Sequence, residues 1–372
     1  MGAIVLSIGS ELLAGETVDT NAAFLARGLT GLGIELTAVR QLPDDCSVIT
    51  AAVGDARRAV SLVIATGGLG PTHDDLTRDA VAQALGEELT SDPQLEAMLH
   101  ERFGGIGRMP STNLRQAMRI PSAQILANRI GSAPGWWVDR DGVVLALMPG
   151  VPSEMRRMFD EELRPRLVAR FSPSAPAVRT VKTFGVGESA VAELVGDLLE
   201  HPGDGVTAGI YARDDGVHLR FAAGAPGPVD VAVARAREAL GGAVWGADGD
   251  DLGAVALAAC ARAGAPTVAS WEADTHGALL TILSAVPRAD GLAAYAGGLL
   301  DAGGAAAAPV ADAVIQLSLL PQDAAGRSRV RVSVSGSVML EPTELRIHGS
   351  GDQRLRRAAY AALDLVRRSL GS

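Results

Sequence analysis

The stretch Ser61-Leu62-Val63-Ile64-Ala65-Thr66-Gly67-Gly68-Leu69-Gly70-Pro71-Thr72-His73-Asp74-Asp75-Leu76-Thr77 decides the fold. Its first five residues form an apolar run of strand length. The run Arg78-Asp79-Ala80-Val81-Ala82-Gln83-Ala84-Leu85-Gly86 leaves it with helical spacing. The stretch therefore reads as a buried strand, a tight Gly-rich turn and a helix start. Glycines let the backbone approach a ligand and accept positive φ. Amide groups at a helix start attract anions. The adjacent carboxylates Asp74 and Asp75 repel a bare phosphate, so a cation between them and the phosphate is the natural inference. A strand-to-helix turn carries glycines for geometry alone in many α/β proteins. Two aspartates, a proline and two threonines in the same turn favour a site.

Working outward, the same grammar recurs. Ala3 to Gly9 is a strand that runs into Ser10-Glu11-Leu12-Leu13-Ala14-Gly15-Glu16-Thr17-Val18-Asp19-Thr20-Asn21. Asp19 or Thr20 suits the cap of a helix from Asn21 to about Leu32, closed by Gly33. For Asp19 a cap and a ligand contact are equally good readings. Ile34 to Gln41 is a second strand, ending at Pro43-Asp44-Asp45. Either aspartate suits the cap of the helix Cys46 to Ala59. Asp92 to Gly105 reads as helix. Gly142 to Leu147 is a further buried strand, running into Met148-Pro149-Gly150-Val151-Pro152-Ser153-Glu154-Met155. Strands alternating with helices of this length predict a mostly parallel sheet covered on both faces, with ligands at the strands' carboxyl ends.

Ser172 to Pro176 reads as a linker. A small α+β unit follows: strand Val178–Phe184, helix Glu188–Leu199, strands Val206–Tyr211 and Val217–Ala222, helix Asp230–Leu240. Gly241 to Gly253 reads as the next boundary. The last segment opens with an Ala-rich helix, 254–264, and a strand, 267–270. Further helices, a strand near 329–334 and a basic helix, 354–368, complete it. Residues 302–313 approach low complexity and suit a loosely specified helix or loop. The expected domains are 1–171, 177–248 and 252–372.

At 372 residues, 48% of them hydrophobic, the chain has core material for two or three domains. A net charge of -10 argues against a general nucleic-acid binder, which needs a basic face. Cys46 and Cys260, the only cysteines, suggest neither a disulfide framework nor a Cys-based zinc site. No apolar run reaches membrane-spanning length and the start lacks a basic leader, so a cytoplasmic protein is expected. Lys182 is the only lysine.

The Gly9–Asn21 and Ala65–Thr77 blocks, with Asn113-Leu114-Arg115-Gln116-Ala117, Ala133-Pro134-Gly135 and Met148–Met155, resemble the competence/damage-inducible CinA family. The resemblance covers roughly the first 250 residues well. It implies a three-layer α/β/α N-terminal domain similar to MogA/MoaB molybdopterin-binding proteins, and metal-dependent ADP-ribose pyrophosphatase activity there. The segment around Lys182-Thr183-Phe184-Gly185-Val186-Gly187-Glu188-Ser189 resembles the family's KH-like domain. A nucleic-acid-binding KH module needs a Gly-x-x-Gly loop with basic flanks. Gly185-Val186-Gly187-Glu188 stands there instead, so no direct nucleic-acid partner is expected.

Resemblance and chemistry together nominate Asp74, Asp75 and Arg115 as catalytic, Arg115 for phosphate neutralisation. Asp44, Asp74 and Asp75 are nominated as ligands of Mg, Mn or Co, with a monovalent cation such as potassium also implied. Contacts to an ADP-ribose-like nucleotide are expected from Gly9, Ser10, Glu11, Asp19, Asn21, Gly67, Gly68, Gly70, Pro71, Thr72, Thr77, Asn113, Gln116, Gly135, Pro149, Gly150, Pro152 and Glu154. The family's last domain is a nicotinamide mononucleotide deamidase with the signatures Glu-Ser-x-Thr-Gly-Gly, Val-Pro-Gly-Ser-Ser and Tyr-Ser-Asn. Here the first two blocks are Glu272-Ala273-Asp274-Thr275-His276-Gly277 and Val286-Pro287-Arg288-Ala289-Asp290. Both serine positions are lost, so deamidase activity is expected to be absent and the segment to serve as a structural or homodimerisation domain. Glu272, Asp274 and His276 on alternate positions suggest a replacement metal site only weakly. The alternatives are a non-catalytic nucleotide- or pterin-binding scaffold, a molybdenum-cofactor enzyme, and a retained deamidase.

Overall fold

The structure is a computed structural model and describes residues 2–105, 107–301, 310–323 and 327–371. The chain divides into two compact units, Met1–Pro176 and Ala177–Ser372.

In the first unit, β1 (Gly2–Ile8), α1 (Thr20–Leu32), β2 (Glu35–Leu42), α2 (Cys46–Ala59), β3 (Leu62–Thr66) and α3 (Thr77–Leu85) alternate as their periodicity demands. Helix α4 (Pro93–Arg102), strands β4 (Gln124–Leu126), β5 (Gly135–Arg140) and β6 (Val143–Met148), and helix α5 (Pro152–Met158) follow. A π turn, Phe159–Leu163, leads from α5 into α6 (Arg164–Phe171). The six strands form one sheet in the order β2-β1-β3-β6-β5-β4. The pairs β2-β1, β1-β3 and β3-β6 are parallel, while β5 and β4 complete the edge antiparallel. β3 is buried at all five positions, as a central strand covered on both faces must be. One face packs Ile4, Leu6, Val63 and Leu145 with α2 and α3; the other packs Val5, Ile64, Val144 and Ala146 with α1, Met155 and Phe159. The result is a three-layer α/β/α domain.

The carboxylates before α1 and α2 resolve into caps. Asp19 Oδ1 accepts from the Ala22 amide at 2.9 Å. Asp45, not Asp44, caps α2, accepting from the amides of Ser47 and Val48 at 2.9 and 3.0 Å. This leaves Asp44 to face elsewhere.

The second unit holds two hydrophobic cores. In the first, β7 (Ala177–Thr183), α7 (Glu188–Leu194), α8 (Gly196–Glu200), β8 (Thr207–Arg213), β9 (Gly216–Ala223), α9 (Pro226–Leu240) and β10 (Val244–Ala247) form an antiparallel sheet, β8-β9-β7-β10, with Phe221, Leu219 and Val229 at its centre. The expected helix Glu188–Leu199 is broken at Val195, which adopts φ -119°. Within the stretch 241–253, Val244–Ala247 is an edge strand paired with β7.

The second core gathers α10 (Leu252–Arg262), β11 (Thr267–Ala273), α11 (Ala278–Ala285), β12 (Ala294–Asp301), β13 (Ala313–Leu320), β14 (Ser328–Gly336), β15 (Leu340–Ile347) and α12 (Gly351–Leu370). The sheet order is β12-β11-β13-β14-β15. One strand after 270 was expected; four are present. In β14 the alternation is clean, with Val330, Val332 and Val334 buried and Arg331 and Ser335 turned outward. Of the low-complexity run 302–313, residues 302–309 lie outside the described residues.

Candidate functional site

Four strand ends of the first unit finish level with one another. Ser7 pairs with Thr66, Ile8 with Leu42, and Thr66 with Met148. The turns that follow therefore converge on one edge of the sheet. They are also stitched together. The Gly67 amide donates to Met148 O at 3.1 Å and the Gly9 amide to Leu42 O at 3.0 Å. Thr66 Oγ1 donates to Pro149 O at 2.9 Å. Asn21 Nδ2 donates to Gly150 O at 2.7 Å and to Thr66 Oγ1 at 3.3 Å.

The Gly-rich turn needs its glycines. Gly67 sits at φ 103° and a Cβ there would lie 2.0 Å from Ile8 O; Gly68 sits at φ 62° with its Cβ position 2.3 Å from Thr77 Oγ1. Thr77 is fully buried. Its hydroxyl donates to Gly67 O at 2.8 Å and its amide to Gly68 O at 3.2 Å. The start of α3 thus backs the turn instead of lining the site, which corrects the expected Thr77 contact. The next bend is held by Asp75. Its Oδ1 accepts from the Gly70 amide at 2.7 Å, and its Oδ2 accepts from the Thr72 amide at 2.8 Å and the Thr72 hydroxyl at 2.5 Å.

These turns enclose a cavity of about 440 Å³. Of the expected contacts, Gly9, Glu11, Gly67, Gly68, Gly70, Pro71, Gln116, Pro149, Gly150 and Glu154 line it, together with Asp44, Asp74 and Asp75. Val151 lines it within the Pro149–Glu154 turn, and Ile8, Leu69, Ser132 and Ala133 line it without having been nominated. The lining has five carboxylates, from Glu11, Asp44, Asp74, Asp75 and Glu154, and no basic side chain.

The carboxylates differ in how far the chain has already used them. Asp44 Oδ2 accepts from both the amide and the hydroxyl of Ser10 at 2.8 Å. Ser10 therefore orients Asp44. Glu154 accepts from Asn128 Nδ2 at 2.7 Å. Asp75 is committed to its loop. Asp74 has a side chain 60% exposed. Among the described residues no three His, Cys, Asp or Glu side chains form a ready-made metal cluster. The donor set fits a hard divalent cation that takes one or two carboxylate oxygens, from Asp74 and Asp44, and completes its shell with phosphate and water. Asp75 fits the role poorly and is corrected to a loop anchor. Ser7 Oγ, Asp19 Oδ2 and Asn21 Oδ1 are buried without a hydrogen-bond partner.

Several nominated side chains serve the scaffold. Asp19 is a helix cap, Asn21 ties three turns together, and Asn113 Nδ2 donates to Gln116 Oε1 at 3.1 Å. Pro152 opens α5. Gly135 is buried in β5, where a Cβ would lie 2.4 Å from Leu147 O and 2.6 Å from Met158 Sδ. It makes room for packing. Arg115 does not reach the cavity. It pairs with Asp79 at 2.9 Å and lies in a neighbouring cavity.

Arg78 went unread. It is 4% exposed, and its Nη1 and Nη2 donate to Leu69 O and Pro134 O at 2.8 and 3.0 Å. Burial lowers its pKa to about 10, opposed by the charges of Asp75 and Asp79. An arginine in register with Val81 and Leu85, on the apolar stripe of α3, was the signal.

In the last segment, the buried Glu272 carboxylate accepts from Thr275 Oγ1 at 2.7 Å and from the Leu279 and Leu280 amides at 3.0 and 2.7 Å. It anchors the start of α11. Glu272, Asp274 and His276 do not form a metal cluster among the described residues.

Comparison with known proteins matches residues 4–169 to the family described as "Probable molybdopterin binding domain" and residues 178–246 to "Damage-inducible protein CinA KH domain". A CinA-like protein of Thermomicrobium roseum is 45% identical over 296 residues, covering 78% of this chain and 72% of that protein. A CinA-like protein of Anaeromyxobacter sp. is 33% identical over 409 aligned positions, covering 98% of both chains. A crystal structure described as the protein CinA with unknown function, from Thermoplasma acidophilum, is 34% identical, covers 44% of this chain and 96% of its own, and has a TM-score of 0.43. No helix among the described residues is long and apolar enough to cross a membrane.

Proposed function

Since the chain belongs to the CinA-like protein family, we propose that its first domain is a divalent-metal-dependent hydrolase of ADP-ribose or a related nucleotide diphosphate. One observation carries this reading: a cavity at the strand ends with five carboxylates and no basic side chain, beside a Gly-rich turn. Two like unit charges about 4 Å apart cost roughly 4 kcal/mol under the screening of a protein surface. A hydrogen bond to a charged group returns only about 1.5–3 kcal/mol. Backbone amides alone therefore do not hold a diphosphate against such a lining. A divalent cation, when bound, neutralises phosphoryl oxygens and polarises the phosphorus for attack by water.

The chain's own residues do the rest. Asp74 and the open oxygen of Asp44 are the atoms to hold the cation, and Ser10 fixes Asp44 in place. Asp75 and Thr72 keep the Gly70–Asp75 bend in one shape. Gly67, Gly68 and Gly70 allow close approach of the ligand, and Glu11 and Glu154 complete the acidic wall. Water attacks one phosphorus, the bridging P–O bond breaks, and adenosine monophosphate and ribose 5-phosphate leave. The test is chromatography of ADP-ribose incubated with the full chain and Mg, Mn or Co in turn. Metal-dependent appearance of both products is expected; binding without products establishes the second reading, a nucleotide-binding scaffold.

We also propose that the last segment has no nicotinamide mononucleotide deamidase activity. Ala273 stands where the family's nucleophilic serine is expected, and the adjoining Glu272 carboxylate is spent on capping α11. In the same assay, nicotinamide mononucleotide is expected to release no ammonia. Release that scales with enzyme concentration would overturn this.

A further inference from the structure

The last segment holds a cavity of its own, of about 490 Å³. Its size falls in the roughly 300–1,000 Å³ range of small-molecule sites. It lies at the closing end of α11, where the chain turns through residues 286–293 into β12. Leu257, Leu283, Val286 and Leu292 give it an apolar wall, and Arg288 is the one charged side chain among its lining residues. We infer that this cavity binds a small apolar monocarboxylate, with the carboxylate on Arg288 and the hydrocarbon against the apolar wall, independently of the nucleotide reading of the first domain.

The backbone holds this hollow in shape. The Val286 amide donates to Leu283 O at 3.3 Å and the Leu292 amide to Ala289 O at 3.3 Å. The Ala293 amide donates to Leu257 O at 3.2 Å and the Ala294 amide to Pro266 O at 2.8 Å. The loop is thus fastened to α11 at one end, and to α10 and the approach to β11 at the other. The register then passes from Val268–Tyr295 to Ser270–Gly298, so Ala296 and Gly297 stand opposite the single Ala269. Both belong to the lining, and Gly297 sits at φ 107°. A bulge of this kind bends its strand, and edge bulges recur beside binding sites. Tyr295 also lines the cavity, and its hydroxyl is already engaged by the buried Ser270 Oγ at 2.6 Å. What Tyr295 adds to the wall is therefore its ring.

Charge decides between a monoanion and a phosphate. Arg288 is exposed and has no ion-pair partner among the described residues, so its guanidinium is open to a ligand. A guanidinium takes a carboxylate through two parallel hydrogen bonds. A phosphate dianion asks for more than one cation, and the lining holds no second. Leu283 and Ser284, in the last turn of α11, bring the negative end of that helix to the cavity, which opposes a second negative charge further. The wall of leucine, valine and alanine matches hydrocarbon and offers few partners to a sugar. The arginine is this chain's own feature: Val286-Pro287-Arg288-Ala289 stands where the family signature reads Val-Pro-Gly-Ser-Ser.

The experiment measures binding to the full chain by calorimetry, with four probes: octanoate, hexanoate, octan-1-ol and inorganic phosphate. Octanoate is expected to bind saturably at one site, and hexanoate, two methylenes shorter, roughly tenfold more weakly. Arg288→Gln is expected to weaken octanoate tenfold or more and to leave octan-1-ol unchanged, and Arg288→Lys to recover part of the octanoate affinity. Ala289 is an exposed lining position, so Ala289→Trp fills the cavity without disturbing a core and is expected to weaken octanoate and octan-1-ol alike. Circular dichroism of each variant reports folding. Absence of saturable octanoate binding to the wild-type chain overturns the proposal. So does octanoate affinity that none of these substitutions changes, which places the binding elsewhere on the chain. Equal loss of octanoate and octan-1-ol in a folded Arg288→Gln variant overturns the carboxylate contact. Arg288-dependent binding of phosphate as tight as that of octanoate overturns the monocarboxylate class.

Discussion

Asp74→Asn is expected to reduce metal-dependent turnover of ADP-ribose by 100-fold or more, with no measurable change in melting temperature. The side chain is exposed, so little of the fold depends on it. What it offers is negative charge beside the cavity, and the amide is isosteric but neutral. The contrast with Asp75→Asn gives the expectation its edge. Asp75 receives two amides and a hydroxyl within its own bend. An asparagine keeps one acceptor oxygen and turns a donor towards a donor, so stability and activity are expected to fall together. Steady-state rates with thermal melts of both variants separate the cases. Equal rates for Asp74→Asn and wild type would remove Asp74 from the metal site.

Gly67→Ala is expected to destabilise the first domain by about 3 kcal/mol or more, lowering its melting temperature by roughly 6–12 °C. Two effects add. An alanine at φ 103° is held in a backbone conformation that L residues avoid. Its Cβ would also meet Ile8 O at 2.0 Å, and that carbonyl belongs to a sheet strand that cannot retreat. Relief requires the turn to move away from β1, and Asn21, Thr66 and Pro149 resist that movement through their shared bonds. Loss of nucleotide binding is expected even in the folded fraction. Differential scanning calorimetry checks the first effect; an unchanged transition would mean that the turn is looser than its bonds imply.

Much of the first domain was legible because its signals are local. Continuous apolar runs such as Leu62–Thr66 and Val143–Met148 mark central strands, and Gly33 marks a helix end. The convergence of the turns followed from parallel order alone. What sequence could not supply was the partner of each polar group. Asp44 and Asp45 are adjacent and chemically identical, yet one caps a helix and the other faces the cavity, a difference set by backbone direction. Asp75 and Arg115 carry the residue types that phosphate chemistry uses, but tertiary contacts within 3.4 Å claim them first. The last segment was read poorly for another reason. Alanine and glycine dilute the alternation of β12, and the apolar run of β13 reads equally well as helix or strand. Their pairing with β11 and β14 becomes visible only once the sheet is assembled.

The acidic lining has a kinetic consequence. Carboxylates with no basic side chain among them project a negative field out of the cavity mouth, and a free nucleotide anion meets that field before it meets any contact. Ordinary salt shortens the reach of such a field to about 8–10 Å. Encounter between this domain and an uncomplexed nucleotide therefore quickens as ionic strength rises, the reverse of the usual behaviour of anion-binding proteins, which draw their ligands in through basic mouths and slow down when salt is added.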